Sequence, residues 1–126
     1  MAASEYLDNA LLNATLTNTS YTSPATVYAA LYSVAPTKTT SGTELSGDGY
    51  SRQSVAFSVA SGTATSTADV TFGAATATWL TAVAWAILDD STGGNILYYS
   101  SLSPTQTVLN GNTLTIATGD ITITMD

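Results

Sequence analysis

Few side chains in this 126-residue chain can do acid–base or nucleophilic work. Nine Asp and Glu stand against one lysine, Lys38, and one arginine, Arg52, for a formal charge of −7, and neither histidine nor cysteine is present. That removes the commonest zinc and transition-metal ligands. It also removes disulfides, thiol nucleophiles and any Ser-His-Asp triad. The acids are scattered over what read as turns, so no pair stands out for two-carboxylate glycoside hydrolysis. Asp89-Asp90 with Asn95 offers hard oxygen ligands of the kind calcium takes. The spacing is not that of an EF-hand loop and no bidentate Glu follows, so a solvated turn is the plainer reading. Two cations cannot neutralise a phosphate backbone, so no nucleic-acid partner is expected. No catalytic residue, metal site or cofactor is expected.

Binding chemistry has more material. Tyr21, Tyr28, Tyr32, Tyr50, Tyr98, Tyr99, Trp79 and Trp85 could build a sugar-stacking platform. The same residues also suit the core of a sandwich or an interface, where an apolar body meets a polar tip. Trp85 and Phe57 alternate with other apolar residues and read as core. Tyr98 and Tyr99 must point to opposite faces of a strand, which puts one of them at the surface or at a subunit contact. Arg52 is the sole arginine in an acidic chain. Either Glu44 or Asp48 holds it in a bidentate pair that pins the adjoining loop, or it is a surface charge of little value.

The elements that must position these residues are mostly strands. Ser4 to Leu16 reads as a helix, with Leu7, Leu11 and Ala14 on one stripe beside Tyr6 and Ala10. Ser4 is a fitting N-cap, and Glu5 and Asp8 sit where the helix dipole favours acids. It is either a terminal helix packed on a sheet or an arm that docks on a neighbour. From Thr26 onward the period is that of strands: Thr26–Val34, Gln53–Ala60, Ala68–Phe72, Ala82–Ile87, Ile96–Leu102, Thr105–Leu109, Thr113–Ala117 and Ile121–Met125. Ala82, Ala84 and Ala86 lie opposite Val83, Trp85 and Ile87, so that strand is expected to be covered on both sides. Asn110-Gly111 is a strong type I′ hairpin signal. The glycine-rich stretch Thr37 to Tyr50 reads as a long exposed loop.

The expected architecture is one domain over residues 1–126. It is all-β: an antiparallel sandwich, jelly-roll-like, of about eight strands. An N-terminal helical arm (about 4–16) and a long loop (about 37–50) complete it. At 44% hydrophobic content with clear periodicity, a disordered chain is not expected. The longest apolar run falls far short of the roughly 20 residues of a membrane span, so no membrane partner is expected. No basic region or long apolar stretch follows Met1, so no signal peptide is expected.

A set of blocks carries a family resemblance. They are Ala30-Leu31-Tyr32 with Ala35-Pro36-Thr37, then Glu44 to Gln53, then Val70-Thr71-Phe72 with Trp79. Leu88 to Tyr98, Asn110 to Leu114 and Gly119 to Ile123 follow. In this order they resemble a family of small tailed-bacteriophage virion proteins whose genes are often labelled tail fibre protein. Gly49-Tyr50 with Arg52-Gln53, and Gly93-Gly94-Asn95, are the most specific parts. The resemblance implies a structural protein of the phage particle, without enzymatic activity.

Two readings follow. A fibre normally needs long repetitive or coiled-coil sequence for its shaft, and none is present. A capsid decoration (cement) protein on the outer surface of the shell is therefore expected. Its partners would be the major capsid protein and other copies of itself, as a homodimer or homotrimer. The alternative is a tail-fibre or tail-tip module that binds a host receptor or glycan. Candidate interface residues are Tyr6, Leu7 and Leu11 on the helix, Glu44, Asp48, Tyr50 and Arg52 in and after the loop, and Tyr99. The chain also holds 24 threonines and 15 serines. They give a polar surface with few charges, which a neighbour can cover without burying unpaired ions.

Overall fold

A computed structural model describes residues 2–125; Met1 and Asp126, the ends of the expected domain, lie outside the described residues. The elements follow in the order β1 (Ala2–Ala3), α1 (Glu5–Leu16), β2 (Val27–Val34), β3 (Thr43–Glu44), β4 (Gln53–Val55) and β5 (Phe57–Ala60). Then come β6 (Thr63–Ser66), β7 (Val70–Phe72), β8 (Ala82–Leu88), β9 (Ile96–Gln106), β10 (Leu114–Ile116) and β11 (Thr122–Thr124). All pairings among the described residues are antiparallel.

Six strands form the main sheet, in the order β1-β9-β8-β2-β3, with β4 also on the free side of β2. Against it lie a three-stranded sheet, β11-β6-β5, and a two-stranded one, β10-β7. The three sheets share one core. Leu31, Val55 and Ile87 come from the main sheet, Ile121 and Ile123 from β11 and its approach, and Val70 and Phe72 from β7. Phe72 and Leu31 are wholly enclosed. The expected all-β antiparallel sandwich with an N-terminal helix is what the chain forms.

Strand residues alternate between two environments because successive side chains point to opposite faces. In β2, Ala29 and Leu31 face the sandwich core, whereas Ala30 and Tyr32 face the other way. In β8, Trp85 and Ile87 face the core and Ala84, Ala86 and Leu88 face away. Both faces of this strand pair are covered, as the small residues imply. α1 packs chiefly against β9 and buries its Leu7. Ser4 starts that helix: its Oγ accepts from the Leu7 amide (3.2 Å) and donates to the Ile96 carbonyl, so the cap and the anchor to β9 are one group.

Several expectations change. Gln53–Ala60 is not one strand: it breaks at Ala56, and its halves join different sheets. The segment expected as an exposed loop over 37–50 is divided by β3, and its Leu45 is buried. Thr105–Leu109 is not a separate strand, since β9 runs on to Gln106. A register shift between Ala82 and Ala84 places Ala82 in the sandwich core and packs Val83 on the opposite face. Asn110-Gly111 does not close a type I′ hairpin. Only Gly111 takes a positive φ there (84°), Asn112 N donates to Leu109 O, and β10 pairs with β7. β6, with the sequence Thr-Ala-Thr-Ser, was not expected at all. Threonines make exposed hydrogen bonds across β6 and β11 (Thr63 with Thr124), across β7 and β10 (Thr71 with Thr115), and just outside the ends of β8 and β9 (Thr81 with Thr107).

Phe72→Ala removes a wholly enclosed ring and should cost about 3–5 kcal/mol, read as a lower urea midpoint. Val59→Ala, at a side chain 76% exposed, should cost less than about 1 kcal/mol in the same measurement.

Candidate functional site

The edge of β2 is where the polar chemistry gathers. β4 pairs with Val27 to Ala29 and β3 pairs with Tyr32 and Val34, which leaves the backbone of Leu31 between them. Both of its polar groups find partners. The Leu31 amide donates to the Tyr50 hydroxyl (3.0 Å), and its carbonyl accepts from Leu45 N (2.9 Å). Tyr50 in turn donates to Glu44 Oε2 (2.7 Å). Arg52 meets the same carboxylate with both arms of its fork, Nε on Oε2 (2.9 Å) and Nη2 on Oε1 (2.8 Å). Its Nη1 donates to the carbonyls of Asp90 and Gly93. The partner of Arg52 is thus Glu44 and not Asp48, and the guanidinium ties β3 to the turn after β8.

The rest of Tyr50 belongs to the core. Its ring stacks on Phe72 and meets Trp79 edge-on. The chain reaches that position through Gly47, Asp48 and Gly49, all three with positive φ. At Gly49 a Cβ would lie 2.5 Å from the Ala74 carbonyl oxygen, so only glycine fits. The Asp48 carbonyl accepts from Trp79 Nε1 (2.8 Å) and Thr76 N (2.9 Å).

Burial pushes the Tyr50 phenol well above its ordinary value; the Leu31 amide opposes this and the Glu44 carboxylate adds to it. Burial, then the Glu44 charge, pushes the Tyr32 phenol up to about 12, with Arg52 acting in the other direction. At the first turn of the helix, Lys38 pairs with Asp8, and that hydrogen bond raises the Lys38 pKa. The Glu5 amide donates to the Lys38 carbonyl (2.9 Å), so the segment 37–42 is held against the start of α1.

Between these parts lies an open cleft of about 610 Å³. α1 and the segment 37–42 form its walls with the turn 93–96, and Tyr32, Glu44 and Arg52 line it below. Of the residues singled out from sequence, Tyr6, Glu44 and Arg52 meet at this cleft. Leu7 is buried beneath α1, and Leu11 and Tyr99 are half-buried on the same side of the sheet. Asp48 and Tyr50 lie behind it, in the turn and core just described. Tyr32, named from sequence only among the aromatics of a possible sugar-stacking platform, and Lys38 also belong to the site; neither was a candidate interface residue, because the contacts that bring them there join segments distant in sequence. Asp89 does not present a free carboxylate for calcium: it accepts from Asn95 N (2.7 Å) and Nδ2 (3.1 Å) and shapes the turn. Among the described residues no group of three or more His, Cys, Asp or Glu could hold a metal ion.

Arg52→Lys keeps the charge and loses the fork. It should cost about 2 kcal/mol by denaturant titration, between the values for exposed and fully buried pairs, since the side chains of Arg52 and Glu44 are 10% and 24% exposed. High pH probes the phenols. Their folded pKa values lie above the unfolded value of 10.0, so their contribution to stability is complete below pH 10. It declines as pH rises through 10 toward 12, because the unfolded chain loses these protons first. In an alkaline titration the phenolate absorbance of Tyr32 and Tyr50 should appear last, together with the loss of β-sheet circular dichroism.

A family model described as Podophage GP4 fiber I protein gp80 matches residues 2–124, which is nearly the whole chain. No curated protein matches it. The match spans every strand of the three sheets, the Tyr50–Glu44–Arg52 group and the cleft above it. The chain belongs to this gp80 fibre-protein family, and is a structural protein of the bacteriophage virion.

Proposed function

We propose that the chain is a non-enzymatic building block of a phage fibre, joined to its neighbours in the particle through the outer side of α1. The family's description as a fibre protein, matched over residues 2–124, carries this reading. The helix supports the attachment. A helix that only covers its own sheet needs one apolar stripe. Here Leu7 is buried below, while Leu12 and Leu16 are 55% and 75% exposed above. Other copies of the chain and the virion protein that holds the fibre are the partners this face would meet.

One observation favours capsid decoration as a second reading: residues 1–126 hold no repetitive or coiled-coil pattern of the kind a shaft is built from. A decoration protein would stabilise the assembled shell by binding it in preference to the free subunits. Copy number separates the two. A handful of copies per particle, localised at the tail by immunogold labelling, is expected; hundreds spread over the head would replace the fibre by decoration. Leu12→Ser with Leu16→Ser should leave the denaturation midpoint unchanged and sharply reduce incorporation into particles. Full incorporation would overturn the role of α1.

A further inference from the structure

We propose that the cleft over Tyr32 is a binding site for a neutral saccharide. Tyr32 carries the argument. The residue is only 3% exposed, and its hydroxyl has no hydrogen-bond partner among the described residues, unlike that of Tyr50. No fully enclosed side-chain polar atom lacks a partner among the described residues. The Tyr32 hydroxyl therefore reaches open space, and the space it lines is the cleft. A hydroxyl that opens into a cleft from an otherwise buried tyrosine, without a protein partner, is placed for a ligand's donor or acceptor.

The surroundings define the ligand class. Glu5 and Glu44 are balanced by Lys38 and Arg52 among the lining residues, and both cations are already paired. No free cation is there for a phosphate or carboxylate, and the acids form no metal cluster. What remains is suited to a ring of hydroxyls. Glu44 accepts three hydrogen bonds, which leaves one of its roughly four acceptor positions open on Oε1. Asn9 also lines the cleft, and a side-chain amide can both donate to and accept from a sugar hydroxyl. Tyr6 stands at the rim, 43% exposed, where its ring can cover the C–H face of a sugar. A volume of about 610 Å³ suits a short oligosaccharide. The proposal holds wherever in the particle the chain sits, so its failure leaves the fibre reading intact.

The test uses the purified full chain and nuclear magnetic resonance titration with rhamnose, galactose, maltotriose and N-acetylglucosamine trimer, plus glucuronic acid as an anionic probe. At least one neutral sugar should bind saturably and shift resonances of Tyr6 and residues 37–42. Tyr32→Phe removes only the hydroxyl. It should weaken that binding by about tenfold while leaving the thermal midpoint unchanged or raised, because no protein hydrogen bond is lost. Tyr6→Ala should weaken binding without unfolding the chain. The proposal is overturned if none of the neutral sugars binds, if glucuronic acid alone binds, or if Tyr32→Phe binds as well as the parent. It is equally overturned if a neighbouring protein segment fills the cleft in the assembled particle.

Discussion

The fold depends on how β2 is closed along its free edge. A buried backbone amide without a partner would cost about as much as a lost hydrogen bond, and no strand runs past Leu31 to supply one. A tyrosine hydroxyl does so instead. Because that hydroxyl also donates to Glu44, and Glu44 holds Arg52, the closure extends from the aromatic core to the turn beyond β8. Tyr50 is thereby fixed at both ends: its ring by Phe72 and Trp79, its oxygen by Leu31 and Glu44. A lysine at position 52 could balance the charge of Glu44 but could not reach two carbonyls and both carboxylate oxygens from one rigid plane.

The same sheet supports two layers of different character. On one side large residues interlock with the two smaller sheets; on the other, alanines with Tyr32 and Leu88 form a second buried cluster, and the helix packs chiefly against β9. The helix is anchored chiefly at its first turn, where Ser4 bonds β9 and Asp8 pairs with Lys38. Beyond Leu11 its side chains are exposed. The cleft exists because anchoring at one end leaves the outer face of the sheet only partly roofed.

The parts readable in the sequence were those governed by local physics. Alternation gave away β2 and β8 because both faces of each strand are buried and the side-chain sizes differ between faces. Ser4 marked the helix start because its cap is made within the next turn. Arg52 could be matched to a carboxylate because so few cations compete. The misjudged parts depend on partners far along the chain. Nothing local tells the alternating run at 53–60 that it leaves one sheet for another at Ala56. β6 has almost no apolar signal and is a strand because β5 and β11 flank it. Asn110-Gly111 makes a turn as its residues require, yet the strand that follows finds β7 rather than the strand before it. Tyr32 was one of eight aromatics that fitted either a sugar-stacking platform or a core, and no local signal chose between them; its free hydroxyl is a property of the empty volume beside it.

The threonine pairs on the outer faces bear on how the molecule meets different solvents. Hydroxyl-to-hydroxyl bonds across strands, such as Thr71 to Thr115 at 3.1 Å, carry no net charge and owe nothing to counter-ions. Among the described residues only two ion pairs are present for salt to weaken, and one is largely shielded from water. Most of the acids have no cation beside them and repel one another across the surface, an effect that dissolved ions reduce. Rising ionic strength therefore takes little from this molecule and relieves part of its self-repulsion, which suits a particle component that passes from the crowded interior of a cell to whatever medium lies outside.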